Sequence, residues 1–396
     1  MYCVRNVTED LYWIGANDHR LSLFENIHPI PEGVSYNAYV LMDEKTVLFD
    51  TIDWSSCRQF LENLEHVLDG RPLDYMVINH MEPDHGASIE EVLLRYPNVT
   101  IISTEKAFML MRQFDFHVDG HTLDEVKEGD TRCFGKHTVT FVAAPMVHWP
   151  EAMVTFDVTD GVLFAADAFG SFGALDGKLF NDEVNFDRDW IDHARRYYTN
   201  IVGKYGMPVQ TLLKKAAGLD IETICPLHGP VLKENLGYYI GLYDTWSKYE
   251  PENKGVLVAY ASIHGNTAKA AKKLADMLRA EGVEKVVVSD LAREDMAEVI
   301  EDAFRYDRMV LCAASYDGGV FPCMQDFLNH LQSKAYQKRT VGILENGSWA
   351  PCAARTMKTI LSTMKDVTIV EPTVTIMSTM KESDYPAMEA LVNAIK

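Results

Sequence analysis

Thiols are scarce in this chain. It has seven Cys among 396 residues, an odd number, and no two stand as Cys-x-x-Cys. Rubredoxin-type and iron–sulfur centres need clustered thiolates, so neither is built in. The same scarcity excludes a disulfide scaffold and points to reduced thiols in a cytoplasm. No apolar run approaches the ~20 residues of a membrane span. The start, Met1-Tyr2-Cys3-Val4-Arg5-Asn6, lacks the basic-then-apolar order of a secretion signal. Positive charge is short as well: 37 Lys and Arg against 58 Asp and Glu leave a formal charge of −21. That balance argues against nucleic acid as a partner.

What is present suits two domains, with 47% hydrophobic residues to fill their cores. Early strands are expected at Leu11–Ile14, Tyr39–Met42 and Thr46–Asp50. Helical apolar spacing runs from Cys57 to Leu68 through Phe60, Leu61, Leu64 and Leu68. Strands and helices then alternate to about residue 250. A linker is expected at Tyr249-Glu250-Pro251-Glu252-Asn253-Lys254-Gly255. This gives domains at 1–250 and 255–396. The second opens on Val256-Leu257-Val258-Ala259-Tyr260, an apolar run of the kind buried on both faces of a parallel sheet. Further runs at 285–289, 308–313, 340–344 and 367–370 alternate with helical stretches, which predicts a doubly wound, flavodoxin-like sheet.

The densest chemistry lies in His80-Met81-Glu82-Pro83-Asp84-His85, directly after the apolar run Tyr75–Ile78. Residues two apart on an extended chain share a side, so His80 and Glu82 can converge. Pro83 bends the chain, so Asp84 and His85 can approach from another angle. One short loop can thus feed two adjacent metal ions. A polar turn, rich in His by chance, is the plain alternative.

The motif resembles the His-x-[His/Glu]-x-Asp-His signature of the metallo-β-lactamase fold, and its Glu form resembles that of the flavodiiron proteins. The resemblance implies three further ligands at strand ends: His148, Asp167 and His228, the last in Pro-Leu-His-Gly-Pro. It implies one iron on His80, Glu82 and His148, a second on Asp84, His85 and His228, and Asp167 as the bridge. It leaves open whether His85 binds, and whether Tyr197 or Tyr198 approaches the irons. The stretch around Phe24-Glu25 differs among relatives, many of which carry a His there. Four imidazoles and three carboxylates suit iron in oxygen chemistry better than structural zinc. Three carboxylates, two ferrous ions and one hydroxide sum to zero, so no net charge need be buried. Trp149 and Phe169 are candidates to line a small, dry cavity.

In the second half, Ser262-Ile263-His264-Gly265-Asn266-Thr267 opens a helix, and backbone N–H groups there suit a phosphate dianion. The loop lacks the Gly-Lys-[Ser/Thr] ending of a nucleoside triphosphatase, so FMN fits better than ATP. Ser315-Tyr316-Asp317-Gly318-Gly319 and Asn346-Gly347-Ser348-Trp349 follow strands that end on the same sheet edge. Tyr316 or Trp349 can stack on the ring.

The expected architecture is therefore α+β and α/β: a metallo-β-lactamase-like αββα sandwich followed by a flavodoxin-like doubly wound parallel sheet. The resemblance implies a cytoplasmic oxidoreductase with FMN and two non-haem irons, acting on dioxygen, nitric oxide or both. It implies an external donor, rubredoxin-like or a reduced deazaflavin, and a head-to-tail homodimer or a dimer of dimers. One rival is a dinuclear zinc hydrolase with a flavin-binding regulatory domain. The other is a non-enzymatic electron carrier, which leaves seven ligands without a task.

Overall fold

The run Thr46-Val47-Leu48-Phe49 is buried at every position and forms the central strand of a seven-stranded sheet. The structure, a computed structural model, describes residues 2–396. The sheet runs in the order Arg5–Asn6, Leu11–Trp13, Tyr39–Met42, Thr46–Phe49, Tyr75–Val77, Thr100–Ser103, Thr122–Glu125. Pairing is antiparallel up to Thr46–Phe49 and parallel beyond it. A second sheet orders Thr131–Cys133, Thr138–Ala143, Met153–Asp157, Val162–Phe164 and Thr223–Cys225. The two sheets face each other, and the rings of Phe49 and Phe164 stack between them with centroids 3.8 Å apart. Helices cover the outside. The Cys57–Leu68 helix has the bounds its spacing implies and buries Phe60, Leu61, Leu64 and Leu68. Each such side chain contributes about 1.5–3 kcal/mol of transfer free energy.

Two details differ from the sequence expectation. The strand before the ligand loop ends at Val77 rather than Ile78. Pro83 does more than bend the chain: it opens a helical turn, Pro83–Gly86, at the first helical position. That position needs no N–H, and the fixed φ of proline suits it.

Thr245–Lys396 forms a second unit, divided from Met1–Asp244. Its sheet orders Val286–Asp290, Asn253–Ala261, Tyr306–Tyr316, Arg339–Asn346 and Val367–Ile369, all parallel. A sixth parallel strand, Val374–Ile376, extends the pairing of Arg339–Asn346 and was not expected. Pro372, which has no N–H to donate, interrupts what would otherwise be one edge strand. The Asn266–Ala280 and Tyr385–Ile395 helices pack on one face. The Met296–Arg305, Pro322–Ser333 and Ala353–Leu361 helices pack on the other. No helix among the described residues is long and apolar enough to cross a membrane.

Candidate metal centre and flavin cleft

Loops that follow strands, together with the Pro83–Gly86 turn, bring the seven expected metal ligands to one place in the first unit. Ligand atoms of His80, Glu82, His148 and Asp167 lie within 4.8 Å of one another, as do those of Asp84, His85 and His228. Asp167 stretches between the two sets. Its Oδ2 is 3.0 Å from His148 Nε2 and 3.2 Å from His80 Nε2. Its Oδ1 is 3.1 Å from His85 Nε2 and 3.7 Å from His228 Nε2. Glu82 Oε2 is 3.0 Å from His148 Nε2, and Asp84 Oδ2 is 3.1 Å from His228 Nε2.

These spacings fit a metal better than a hydrogen-bond network. Neither oxygen of Asp84 nor Oδ1 of Asp167 has a hydrogen-bond partner, although all three are buried. His85 Nε2 and His228 Nε2 face each other at 3.1 Å. The outer nitrogens explain why. His228 Nδ1 is 2.7 Å from the Ser35 carbonyl, and His80 Nδ1 is 2.9 Å from Glu151 Oε1. A carbonyl or carboxylate only accepts, so each Nδ1 carries the proton and each Nε2 turns a lone pair inward. Lone pairs that converge on buried carboxylates call for cations between them. Donors about 2.1 Å from one ion at right angles lie about 3 Å apart, as here.

Without cations the site takes up protons instead. Burial opposes charging His85 and His148, but Asp84 and Asp167 hold His85 up at about 10, and Asp167 and Glu82 hold His148 at about 9. His80 is likewise raised: burial is outweighed by Asp167, Glu151 and Glu82. Burial opposes ionisation of Asp167 and Asp84, yet the facing imidazoles hold both below the usual carboxylate range.

The residues that hold the ligands in place carry no mark in the sequence. Glu151 is 2% exposed, and its Oε1 also accepts from Met81 N at 2.9 Å. Asp50 accepts from Asn79 N at 2.7 Å and His80 N at 3.2 Å, which fixes the start of the loop. Ser35 Oγ accepts from Gly229 N at 2.7 Å, and Asn37 Nδ2 donates to the carbonyls of Pro226 and Gly229. Gly229 has φ of 78°, and a Cβ there would lie 2.0 Å from Ser171 Oγ. Nothing larger fits beside His228.

Aromatic rings close the pocket. Trp149 meets His80 edge-on at 5.6 Å, and Phe24 meets His228 at 5.4 Å. Tyr197 is the tyrosine at the site: its ring lies 5.4 Å from His228 and its buried hydroxyl has no partner. Burial, then Asp167 and Asp84, push its phenol well above the ordinary range. Tyr198 packs against Tyr243 instead, and Phe169 also stacks on Tyr243. Glu25 sits at a turn with φ of 51°, between the short strands Leu23–Phe24 and His28–Pro29. Burial and the facing Glu82 carboxylate push its carboxyl up to about 7.

In the second unit a cleft of about 770 Å³ opens at the carboxyl ends of the strands. It is lined by Ser262, Ile263, His264, Asn266 and Thr267, by Ser315 to Gly318, and by Asn346 to Trp349. Gly265 and Gly319 do not line it. Gly265, at φ of 85°, is the N-cap of the Asn266–Ala280 helix, and Gly319 pairs back onto Tyr316. The helix start has no side-chain cap and no acidic residue in its first turn. Its N–H groups are free for a phosphate, so the cleft fits FMN. Trp349 is 90% exposed at the rim. Cys352, Arg355 and Ser378 also line the cleft and lay outside the sequence expectation.

Comparison with known proteins completes the assignment. The ODP family beta lactamase model matches residues 34–229, and the Flavodoxin domain model matches residues 257–369. The solved rubredoxin oxygen:oxidoreductase from Desulfovibrio gigas superposes with a TM-score of 0.92 at 25% identity, over 99% of this chain and 97% of that one. The chain belongs to the flavodiiron proteins. The flavodiiron protein from Giardia intestinalis superposes with a TM-score of 0.91 at 24% identity, covering 99% and 95%. An anaerobic nitric oxide reductase flavorubredoxin from Aliivibrio fischeri is 29% identical over 349 residues, 87% of this flavodiiron protein and 70% of that one.

Proposed function

We propose that this flavodiiron protein reduces dioxygen to water, nitric oxide to nitrous oxide, or both, with electrons passing from an external donor through FMN to a non-haem diiron site. The observation that carries the reading is the pair of donor sets joined through Asp167, in a chain that also holds a flavin-sized cleft. When bound, FMN and two irons store two electrons each, the four that take dioxygen to water and twice the two that join two nitric oxides.

The protein's own part is positioning and exclusion. Asp167 has one oxygen for each donor set and would hold two ions at a fixed separation. Glu151 and the Ser35 carbonyl keep the lone pairs of His80 and His228 inward. Trp149, Phe24 and Tyr197 keep bulk water off the open side. Tyr197 keeps its proton at neutral pH, so its unpartnered Oη has a hydrogen to donate to an oxygen or nitrogen atom that enters the pocket. Glu25 is placed to pass a proton at its carboxyl toward Glu82.

The donor is, on this reading, a small one-electron iron–sulfur protein of the rubredoxin kind, with a reduced deazaflavin as the second possibility. We place the protein in the cytoplasm as a head-to-tail homodimer, or a dimer of such dimers. The resemblance to the family supports this. The deciding experiment is an anaerobic assay of each donor with each gas, alongside metal analysis of protein made with iron available. About two irons and one FMN per chain with gas turnover are expected. Stoichiometric zinc with ester or lactam hydrolysis would overturn the reading in favour of a hydrolase.

A further inference from the structure

The FMN cleft contains one residue at odds with its helix. The Ala353–Leu361 helix has no acidic residue of its own in the first turn; acceptors from outside it, Ser315 Oγ and Glu345 Oε2, take the N–H groups of Cys352, Ala353 and Ala354, and Arg355 stands next in line. The helix dipole disfavours a cation at that end. An unpaired cation lining a ligand cleft suits an anionic group of the ligand. Arg355 lines the cleft, is solvent-accessible, and forms no ion pair with the described residues. It is the only Arg or Lys among the lining residues, whereas the chain as a whole is strongly acidic.

Two parts of FMN can supply the anion, and the fold separates them. The phosphate loop, Ser262–Thr267, leads into the Asn266–Ala280 helix on one face of the sheet. The Ala353–Leu361 helix lies on the other face and is fastened to the second loop. Ser315 Oγ accepts from Cys352 N at 2.8 Å and from Ala353 N at 3.2 Å, and Cys352 Sγ is 3.4 Å from the Gly319 carbonyl. Arg355 therefore belongs to the end of the cleft formed by the Ser315–Gly318 and Asn346–Trp349 loops, where the ring would lie. Taking oxidised FMN to its reduced anion adds two electrons and one proton. The proton goes to N5, and the extra negative charge spreads over N1 and the C2 carbonyl.

We propose that Arg355 pairs with the N1–C2 carbonyl edge of the flavin, binds the reduced anion more tightly than the oxidised ring, and so raises the FMN potential. This rests on the FMN reading above. Arg355 acts on electron storage and touches neither the metal ligands nor the phosphate.

The test uses the full-length protein as wild type, R355Q, R355K and R355M, the last keeping the side-chain stem. Each is checked for FMN content. The two-electron midpoint potential is measured by spectroelectrochemistry and the affinity for oxidised FMN by fluorescence titration. R355Q and R355M are expected to bind reduced FMN three- to tenfold more weakly, with less than a twofold change for oxidised FMN. That ratio lowers the potential by about 15–30 mV, since tenfold is about 30 mV for a two-electron couple. R355K should retain most of the wild-type value. An unmoved potential in R355Q and R355M overturns the proposal. So does equal weakening of both redox forms, which would assign Arg355 to the phosphate. A wild-type protein that holds no FMN would overturn the flavin reading itself.

Discussion

Replacing Glu151 by Gln tests whether the metal site depends on residues that touch no metal. Glu151 Oε1 accepts from His80 Nδ1 and Met81 N, both at 2.9 Å, and Oε2 is buried without a partner. Gln keeps the shape and one acceptor but removes the negative charge. Its NH2 group then occupies a position with no acceptor. A hydrogen bond to a charged group contributes about 1.5–3 kcal/mol, and a neutral one about half of that. The loss is therefore about 1–1.5 kcal/mol, or roughly tenfold in affinity. It falls on the ion held by His80, because the Asp84, His85 and His228 set has no contact with Glu151. Glu151→Ala removes the acceptor altogether and should cost up to about 100-fold. Competition with a chromophoric chelator reads both ions separately, and circular dichroism reports whether the fold survives. A folded E151Q and a folded E151A that both bind two ions as tightly as wild type would refute the argument.

Other substitutions and conditions separate the remaining claims. Asp167→Ala should lose both irons and turnover, whereas Glu82→Ala should weaken mainly one ion; equal retention of both irons in the two variants would show that Asp167 is no bridge. In the metal-free protein His85 and His148 are held at about 10 and about 9 and His80 is also raised, so their stabilising charge is fully present below about 6.5 and is lost only as pH rises through 9 to 10. Iron must displace those protons, so loading at pH 7 should release about three protons and affinity should fall as pH falls. Calorimetry in two buffers of different ionisation enthalpy checks this, and a release near zero would contradict it. Deleting the chain after about residue 250 should leave a folded diiron unit without turnover from a protein donor; undiminished turnover would mean that electrons enter the irons directly. Mixing His80→Ala/Asp167→Ala protein with Ser262→Ala/Thr267→Ala protein should restore about a quarter of wild-type activity if FMN serves the partner's irons. A subunit-exchanged but inactive mixture would exclude that arrangement.

The candidate metal ligands are chemically conspicuous in the sequence: four donors stand in six residues, and the other three follow apolar runs. The supporting residues have no such mark. Glu151 follows Pro150 and reads as a surface residue in a turn; only its burial beside His80 gives its role. Asp50 stands just past the Thr46–Phe49 strand, in the same relation to its strand as other loop residues that bind nothing. Pro83 misled because proline breaks a helix from inside yet starts one at its first position. Tyr197 and Tyr198 are adjacent and alike, and helical geometry alone turns one toward His228 and the other toward Tyr243. In the second unit the loops were legible from their strands. Arg355 was not, because its significance lies in being the wrong charge for its helix.

The bond between His228 and the Ser35 carbonyl has a consequence for how the protein is made. Those residues are 193 apart in the chain, and His228 is 143 residues beyond His85. A ribosome adding 5–20 residues per second releases the loop from His80 to His85 roughly 7 to 30 s before its last partner exists. For that interval the nascent chain offers four metal-binding groups in six residues without Glu151 or the His148, Asp167 and His228 that complete the two donor sets. Whichever divalent cation is labile and abundant near the ribosome can visit the loop. It can be retained only after Ser35, Asn37 and Gly229 have closed around His228. The identity of the metal in the finished protein is thus decided after translation, by exchange in a folded site, and producing the protein in a zinc-rich cell can load it differently without any change in sequence.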